Sequence, residues 1–391
     1  MKAVMYGAGN IGRGFIGQLF YKSGYKTTFI DVNKEVLSKL NTDGKYPLKI
    51  LYHEGYRDEI IEHVCGIDGN DIESVAQVIT DADIMATAVG VNVLKFIIKP
   101  IAAGIEKRFK TNQKPLNIII CENLLGADEY LRELIGNELS DPEIKDWFNQ
   151  NIGLVEASIG RMVPVQTPQM QGDNPLRVCV EGFDILPTDK AAFKGEIPAL
   201  HNMIPFTPFQ FYIERKLFVH NMGHALTAYL GSLMELEYIY ESIETPIVES
   251  LVLRAMNESA MALSKRHGVP YPEIYEHVED LIYRFGNRQL GDTAGRVGRD
   301  LRRKLSENDR MIAAINACIE TNTPYKYICL GIAAALLFES DPLNTEMSRE
   351  QILSDICGLA PQSGVFTLII KLNDMLKNNS LEKVSDYLKG I

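Results

Sequence analysis

Six residues from its start the chain reads GAGNIG, Gly7 to Gly12, and this turn constrains its surroundings more than any other stretch. Gly7, Gly9 and Gly12 form G-x-G-x-x-G. Before them, Ala3 to Tyr6 is a short apolar run that reads as a buried strand; after them, Phe15, Ile16, Leu19 and Phe20 recur at helical spacing. A second run, KTTFIDV, rich in β-branched and aromatic residues, follows the turn at Ser23-Gly24. Strand, glycine turn, helix and strand within about thirty residues make a βαβ unit. In such a unit the first glycine permits a tight turn, the second opens the backbone to a pyrophosphate, and the third lets helix and strand pack closely. The N–H groups and dipole at the helix start then hold the phosphates. Tyr6, Gly7, Ala8, Gly9, Asn10, Ile11 and Gly12 are therefore candidate cofactor contacts; a glycine turn that serves packing alone is the alternative.

Asp31 closes the second strand, 19 residues after Gly12. A carboxylate there accepts hydrogen bonds from an adenosine ribose and repels a 2′-phosphate, which favours NAD over NADP; a plain strand-end cap is the other possibility. ADIMATAVG and LNIIICEN are continuous apolar runs of the kind that form parallel strands buried on both faces. Their ends, Thr87 to Gly90 with Val89 between them, and Cys121-Glu122-Asn123, either meet the dinucleotide or are ordinary loop residues. The alternating order predicts an α/β fold whose N-terminal part is a Rossmann-like, doubly wound sheet. YPLKILYH and YRDEIIEHVCGI read as added strands or a hairpin. GLVEASIGRMVPV and LRVCVEGFDI continue strand-like to about Leu186, and a loop bearing Pro198, Pro205 and Pro208 follows. Beyond Glu214 the pattern is helical to the end. The expected organisation is an NAD-binding Rossmann-type domain over 1–190 and a mainly α-helical substrate domain over 191–391.

Charge and cysteine content narrow the partners. The 391 residues carry a net charge of −11, which argues against a general nucleic-acid binder and means that an anionic ligand needs a local positive pocket. The longest apolar run, Ile328 to Phe338, is far short of the ~20 residues of a spanning helix and reads as a buried core helix. No secretory leader fits the start. Six scattered cysteines without a CxxC read as buried free thiols, so a cytoplasmic protein is expected.

A nicotinamide moves a hydride only if something moves the matching proton. His220 and His224 are four apart, a spacing that suits a metal pair, but no HExxH or nearby cysteine accompanies them. Lys216, Asn221 and His224 stand at i, i+5 and i+8. At about 100° per residue they span a helical sector of roughly 140°, with His224 between the other two. A lysine titrates near 10.4, and desolvation or cationic neighbours lower that toward neutrality, where the amine is a usable base. From spacing alone, a solvated lysine beside two helix-surface polar groups is the alternative reading.

K-x-x-x-x-N-x-x-H, here KLFVHNMGH, resembles the signature of the polyol-specific long-chain dehydrogenases and reductases. GAGNIGRGFIG, ICENL, GLVEASIGRMVP and RFGNRQLGDTAGRVGRDLRRKL are similar to the shorter branch of that family, which acts on a polyol phosphate, over nearly the whole chain. The resemblance implies an NAD-dependent, metal-free enzyme that interconverts D-mannitol 1-phosphate and D-fructose 6-phosphate, as a monomer or small homo-oligomer. It implies Lys216 as general base, Asn221 and Asn123 as amides that stabilise the oxyanion, and His224 as the imidazole that orients substrate and lysine. Arg296 and Lys304 match the family's basic pair at the far end of the polyol. Some members carry a glutamate three residues before the lysine; this chain has Ile213 there and Glu214 next, which leaves the proton exit route open. For the phosphate, Arg296, Arg299 and Arg303 share one face if their segment is helical, with Lys304 beside them; a solvated basic face is the alternative. A sister activity on an unphosphorylated polyol or a uronate is the competing function.

Overall fold

The apolar run after Met1 is the central strand of a six-stranded parallel sheet. In the computed structural model, which describes residues 1–124 and 126–391, strand β1 (Lys2–Tyr6) pairs with β2 (Lys26–Asp31) on one side. The other strands, in chain order, are β3 (Lys45–Leu51), β4 (Tyr56–Glu62), β5 (Val64–Asp68), β6 (Ile84–Thr87), β7 (Leu116–Ile120), β8 (Ile152–Glu156), β9 (Val178–Glu181), β10 (Leu186–Asp189) and β11 (Met203–Phe206). The main sheet runs β5-β2-β1-β6-β7-β8. The chain winds one way from β1 and then the other way from β6, so the switch point lies between the C-terminal ends of β1 and β6.

Both faces of this sheet are covered, and β-strand alternation divides its residues between them. Ala3 and Met5 pack with Phe15, Leu19 and Phe29 on one face; Val4 and Tyr6 pack with Ile79, Ile97 and Ile101 on the other. That double burial is why β6 and β7 read as unbroken apolar runs. The helix Lys34–Asp43 starts where the Asn33 side chain accepts the N–H groups of Glu35 and Val36, and ends at Gly44 in a left-handed conformation, φ 61°.

The expected hairpin is present: β3 and β4 are antiparallel. Far along the chain, β9 pairs parallel with β3 to complete a separate three-stranded sheet, a long-range pairing with no local signal. The proline-bearing loop also contains β11, which among the described residues pairs with β10 alone, an edge position of the kind that tolerates Pro205. Accordingly the residues divide into two units, Met1–Gln210 and Phe211–Ile391, against an expected boundary at 190.

The second unit is helical throughout its described elements. Its longest helix, Pro246–His267, opens with proline at its first position and closes at Gly268 with φ 68°. Most of the apolar run, Ile328 to Ala335, falls in the helix Lys326–Ala335, buried from Tyr327 onward, and Leu336 to Phe338 follow it. Among the described residues no helix is long and apolar enough to cross a membrane. All six cysteines are free; five are buried and Cys65, on the edge strand β5, is exposed.

Candidate active site

In the first unit the glycine turn sits at the switch point, and each glycine has a separate physical reason. Gly7 has φ +104°, and a Cβ there would stand 2.4 Å from the Ala88 carbonyl oxygen. A Cβ on Gly12 would stand 2.0 Å from the Gly7 oxygen. Both glycines are required by packing. A Cβ on Gly9 would meet nothing within 4 Å: this backbone faces open space, a cradle that a pyrophosphate can approach. Gly9 and Asn10 are exposed, Ile11 is half-buried, and the turn continues into a wide π-type turn, Gly12–Ile16. These residues fit the dinucleotide that the fold implies.

Asp31 caps the strand end and keeps room for a further partner. Its Oδ2 accepts the Ala8 N–H at 2.7 Å, and its Oδ1 accepts those of Val32 and Asn33 at 2.8 and 3.0 Å. Those bonds cap the strand and tie it to the glycine turn, yet a carboxylate offers about four lone-pair sites, which leaves capacity for a ribose hydroxyl. Tyr6 is buried, and burial together with the Asp31 charge pushes its phenol up to about 12. Thr87 and Val89 are held by Glu122, which the sequence marks only as part of a strand end. Glu122 is buried at the end of β7; its carboxylate accepts the Thr87 hydroxyl at 2.7 Å and the Val89 N–H at 3.0 Å. Burial pushes its pKa up against those bonds. Its neighbour Asn123 is exposed.

In the second unit the helix carrying the catalytic candidates departs from the expected geometry. Arg215–Asn221 is wound as a π-helix, after which Met222–Leu233 is α-helical. Bonding from i to i+5 lowers the turn to about 80° per residue, so Lys216 and Asn221 lie within about 50° of each other instead of 140°. The Met222 N–H donates to the Leu217 carbonyl across this wide turn, and the buried Arg310 side chain donates to the Asn221 carbonyl at 3.4 Å. Such turns occur disproportionately at functional sites. His224 stacks on Phe285, centroids 4.9 Å apart and planes 15° apart. Burial, then the charges of Arg296, Lys304, Arg310 and Arg284, depress its pKa to about 3, so the imidazole is neutral. His220 is likewise held well below the usual histidine range by burial and by Arg284, with Lys216 contributing. Glu214 is engaged by Arg266 at 3.1 Å and by His267 at 2.8 Å.

The basic segment is not one helix. Ala294–Gly298 and Leu301–Lys304 are separate short helices, and between them Asp300 is left-handed with φ 69°. Asp341 stabilises the break by accepting the N–H groups of Asp300 and Leu301 at 2.7 and 3.1 Å. The single face expected for Arg296, Arg299 and Arg303 therefore does not exist. Arg303 is paired with Asp300 and Asp309 at 2.6 and 3.2 Å. Lys304 is buried, donates to the Val297 carbonyl, and is lowered to about 8 by burial and the nearby arginines. Arg299 is exposed, and Arg296 is half exposed with Asp292 as its partner. Asp292, also unremarked in the sequence, faces His224 with its other oxygen at 3.7 Å. Its place four residues before Arg296 was the available signal; Phe285 lies in the quoted stretch RFGNRQLGDTAGRVGRDLRRKL without a role assigned to it, and nothing marked Arg310. Among the described residues no group of three or more His, Cys, Asp or Glu side chains is arranged to hold a metal ion.

A sequence model of the mannitol dehydrogenase Rossmann domain matches residues 1–202, and one of the mannitol dehydrogenase C-terminal domain matches 209–368. A relative from Thermoanaerobacter pseudethanolicus, named mannitol-1-phosphate 5-dehydrogenase, is 37% identical over 96% of this chain and 98% of its own. Two solved structures share the fold. D-sorbitol dehydrogenase in substrate-free form has a TM-score of 0.83 at 16% identity, covering 98% of this chain and 94% of that one. Pseudomonas fluorescens mannitol 2-dehydrogenase, in ternary complex with NAD and D-mannitol, has a TM-score of 0.75 at 15% identity, covering 100% and 94%. With both domain models matched in order and a relative this similar from end to end, the chain belongs to the mannitol dehydrogenase family.

Proposed function

We propose that this protein interconverts D-mannitol 1-phosphate and D-fructose 6-phosphate with NAD, by a lysine base and without a metal. The observation that carries this reading is the similarity, over nearly the full length of both chains, to an enzyme named for oxidation of mannitol 1-phosphate at C5. NAD, bound along Gly7 to Gly12 with Asp31 at its ribose, supplies the hydride acceptor. Lys216 takes the proton of the C5 hydroxyl. Asn221, on the same side of the wide turn as Lys216, donates a hydrogen bond to the forming alkoxide, and Asn123 is the second such donor. Loss of one oxyanion donor typically costs about 10²–10³ in rate. Neutral His224 orients the hydroxyl without adding charge, and Arg296 meets the phosphate, with Arg299 as a second exposed arginine of that segment.

The test is NADH oxidation with fructose 6-phosphate, fructose, fructuronate and tagaturonate, each with and without EDTA. Fructose 6-phosphate is expected to be the preferred substrate, unaffected by the chelator. Lys216→Ala is expected to bind NADH and to lose turnover; normal turnover would end the assignment of the base. Preference for a uronate would move the enzyme to the sister activity.

A further inference from the structure

We propose that Asp292 is a positioning residue, whose carboxylate fixes His224 and Arg296 together and so couples the proton-handling end of the substrate site to the end that grips the phosphate. The inference rests on the function proposed above and adds to it a residue to which the family resemblance assigns no role.

The geometry supplies three constraints. Stacking on Phe285 sets the plane of the His224 ring but leaves its edges interchangeable. The Asp292 Oδ2, 3.7 Å from Nε2, breaks that symmetry. A carboxylate repels a nitrogen lone pair and attracts an N–H, so Nε2 carries the proton of the neutral ring and Nδ1 keeps a lone pair for a substrate hydroxyl. A separation of 3.7 Å is longer than a hydrogen bond, and catalytic contacts of this kind shorten when substrate binds. The other oxygen, Oδ1, accepts from Arg296, whose guanidinium is 48% exposed while the Asp292 side chain is only 11% exposed. The buried acid thus anchors an outward-facing cation.

Asp292 is itself held from two directions. Its carbonyl accepts the Ile239 N–H at 2.9 Å, and Thr293 bridges to Tyr238 while its hydroxyl caps the helix that carries Arg296. An acid serving only as a salt-bridge partner for Arg296 would be satisfied at the surface, where i,i+4 pairs ordinarily sit. This one is buried against an imidazole.

The experiment uses the full chain and compares Asp292→Asn with wild type, alone and combined with His224→Gln, reading kcat, KM and the NADH dissociation constant. Asp292→Asn is expected to lower kcat about tenfold to hundredfold and to raise KM for fructose 6-phosphate, with NADH binding unchanged. In the His224→Gln background the same change is expected to leave kcat within about threefold, because the group through which Asp292 acts is already gone. An equal kcat loss in both backgrounds, or wild-type kcat in the single variant, overturns the proposal. Should the amide variant fail to fold, Asp292→Glu serves: it keeps the charge but displaces the carboxylate, and wild-type kcat there is equally fatal. Full activity of Asp292→Asn beside an inactive Lys216→Ala sinks this inference alone, whereas full activity of Lys216→Ala sinks the reading beneath it.

Discussion

Glu258 makes the stability of the helical unit depend on pH, and its contribution can be worked out. It lies on the helix Pro246–His267, only 3% exposed. Its Oε2 accepts the N–H groups of Tyr327 and Ile328 at 2.9 and 3.0 Å, at the start of the buried helix Lys326–Ala335, while its Oε1 has no partner. Burial raises its pKa from 4.5 to about 7, with the two backbone N–H groups opposing. That interval, at about 1.4 kcal/mol per pH unit, corresponds to about 3 kcal/mol. Because the folded pKa is raised, the fold binds the proton more tightly than the unfolded chain. The benefit is complete below 4.5 and is lost as pH rises through 7, with about 2.5 kcal/mol of the loss falling between pH 5 and pH 8.

Glu258→Gln keeps a carbonyl for the two N–H groups and removes the titration. Its amide nitrogen lacks an acceptor, which costs about 1–2 kcal/mol, so a net gain of about 1–2 kcal/mol is expected at pH 8 and a net loss of about 0.5–1.5 kcal/mol at pH 5. Urea unfolding at both pH values, followed by far-ultraviolet circular dichroism, measures this directly. The difference in stability between the two pH values should shrink by about 2.5 kcal/mol in the variant. Parallel pH profiles for variant and wild type would refute the claim that Glu258 titrates within the fold.

Two substitutions separate cofactor contact from packing in the glycine turn. Gly9→Ala adds a methyl where nothing lies within 4 Å, so thermal stability should hold while KM for NADH rises tenfold or more; Gly12→Ala, whose Cβ would strike the Gly7 oxygen at 2.0 Å, should lose stability first. Unchanged KM in a folded Gly9→Ala enzyme would make the turn a packing device. Arg296→Ala should raise KM for fructose 6-phosphate about tenfold to hundredfold, the value of a lost charge-assisted contact, and KM for fructose much less; equal effects would remove phosphate recognition from Arg296.

The parts of this protein legible in its sequence are those fixed by neighbours along the chain. A strand buried on both faces, a turn that needs glycine and a helix that follows within a few residues leave a mark at short range, so β1, the cradle and Asp31 could be read directly. So could KLFVHNMGH, because its residues share one helix. What could not be read depends on groups distant in sequence or on how a helix is wound. The π-turn that brings Lys216 and Asn221 to one side changes no residue spacing. The break at Asp300 is stabilised by Asp341, 41 residues away. Asp292 meets His224 across 68 positions, and Arg310 reaches Asn221 across 89. Local sequence determines which chemical groups are present and which short elements carry them. Their burial, protonation and orientation were decided only by tertiary packing, because desolvation and Coulomb forces act through space over a few ångströms, whatever the separation along the chain.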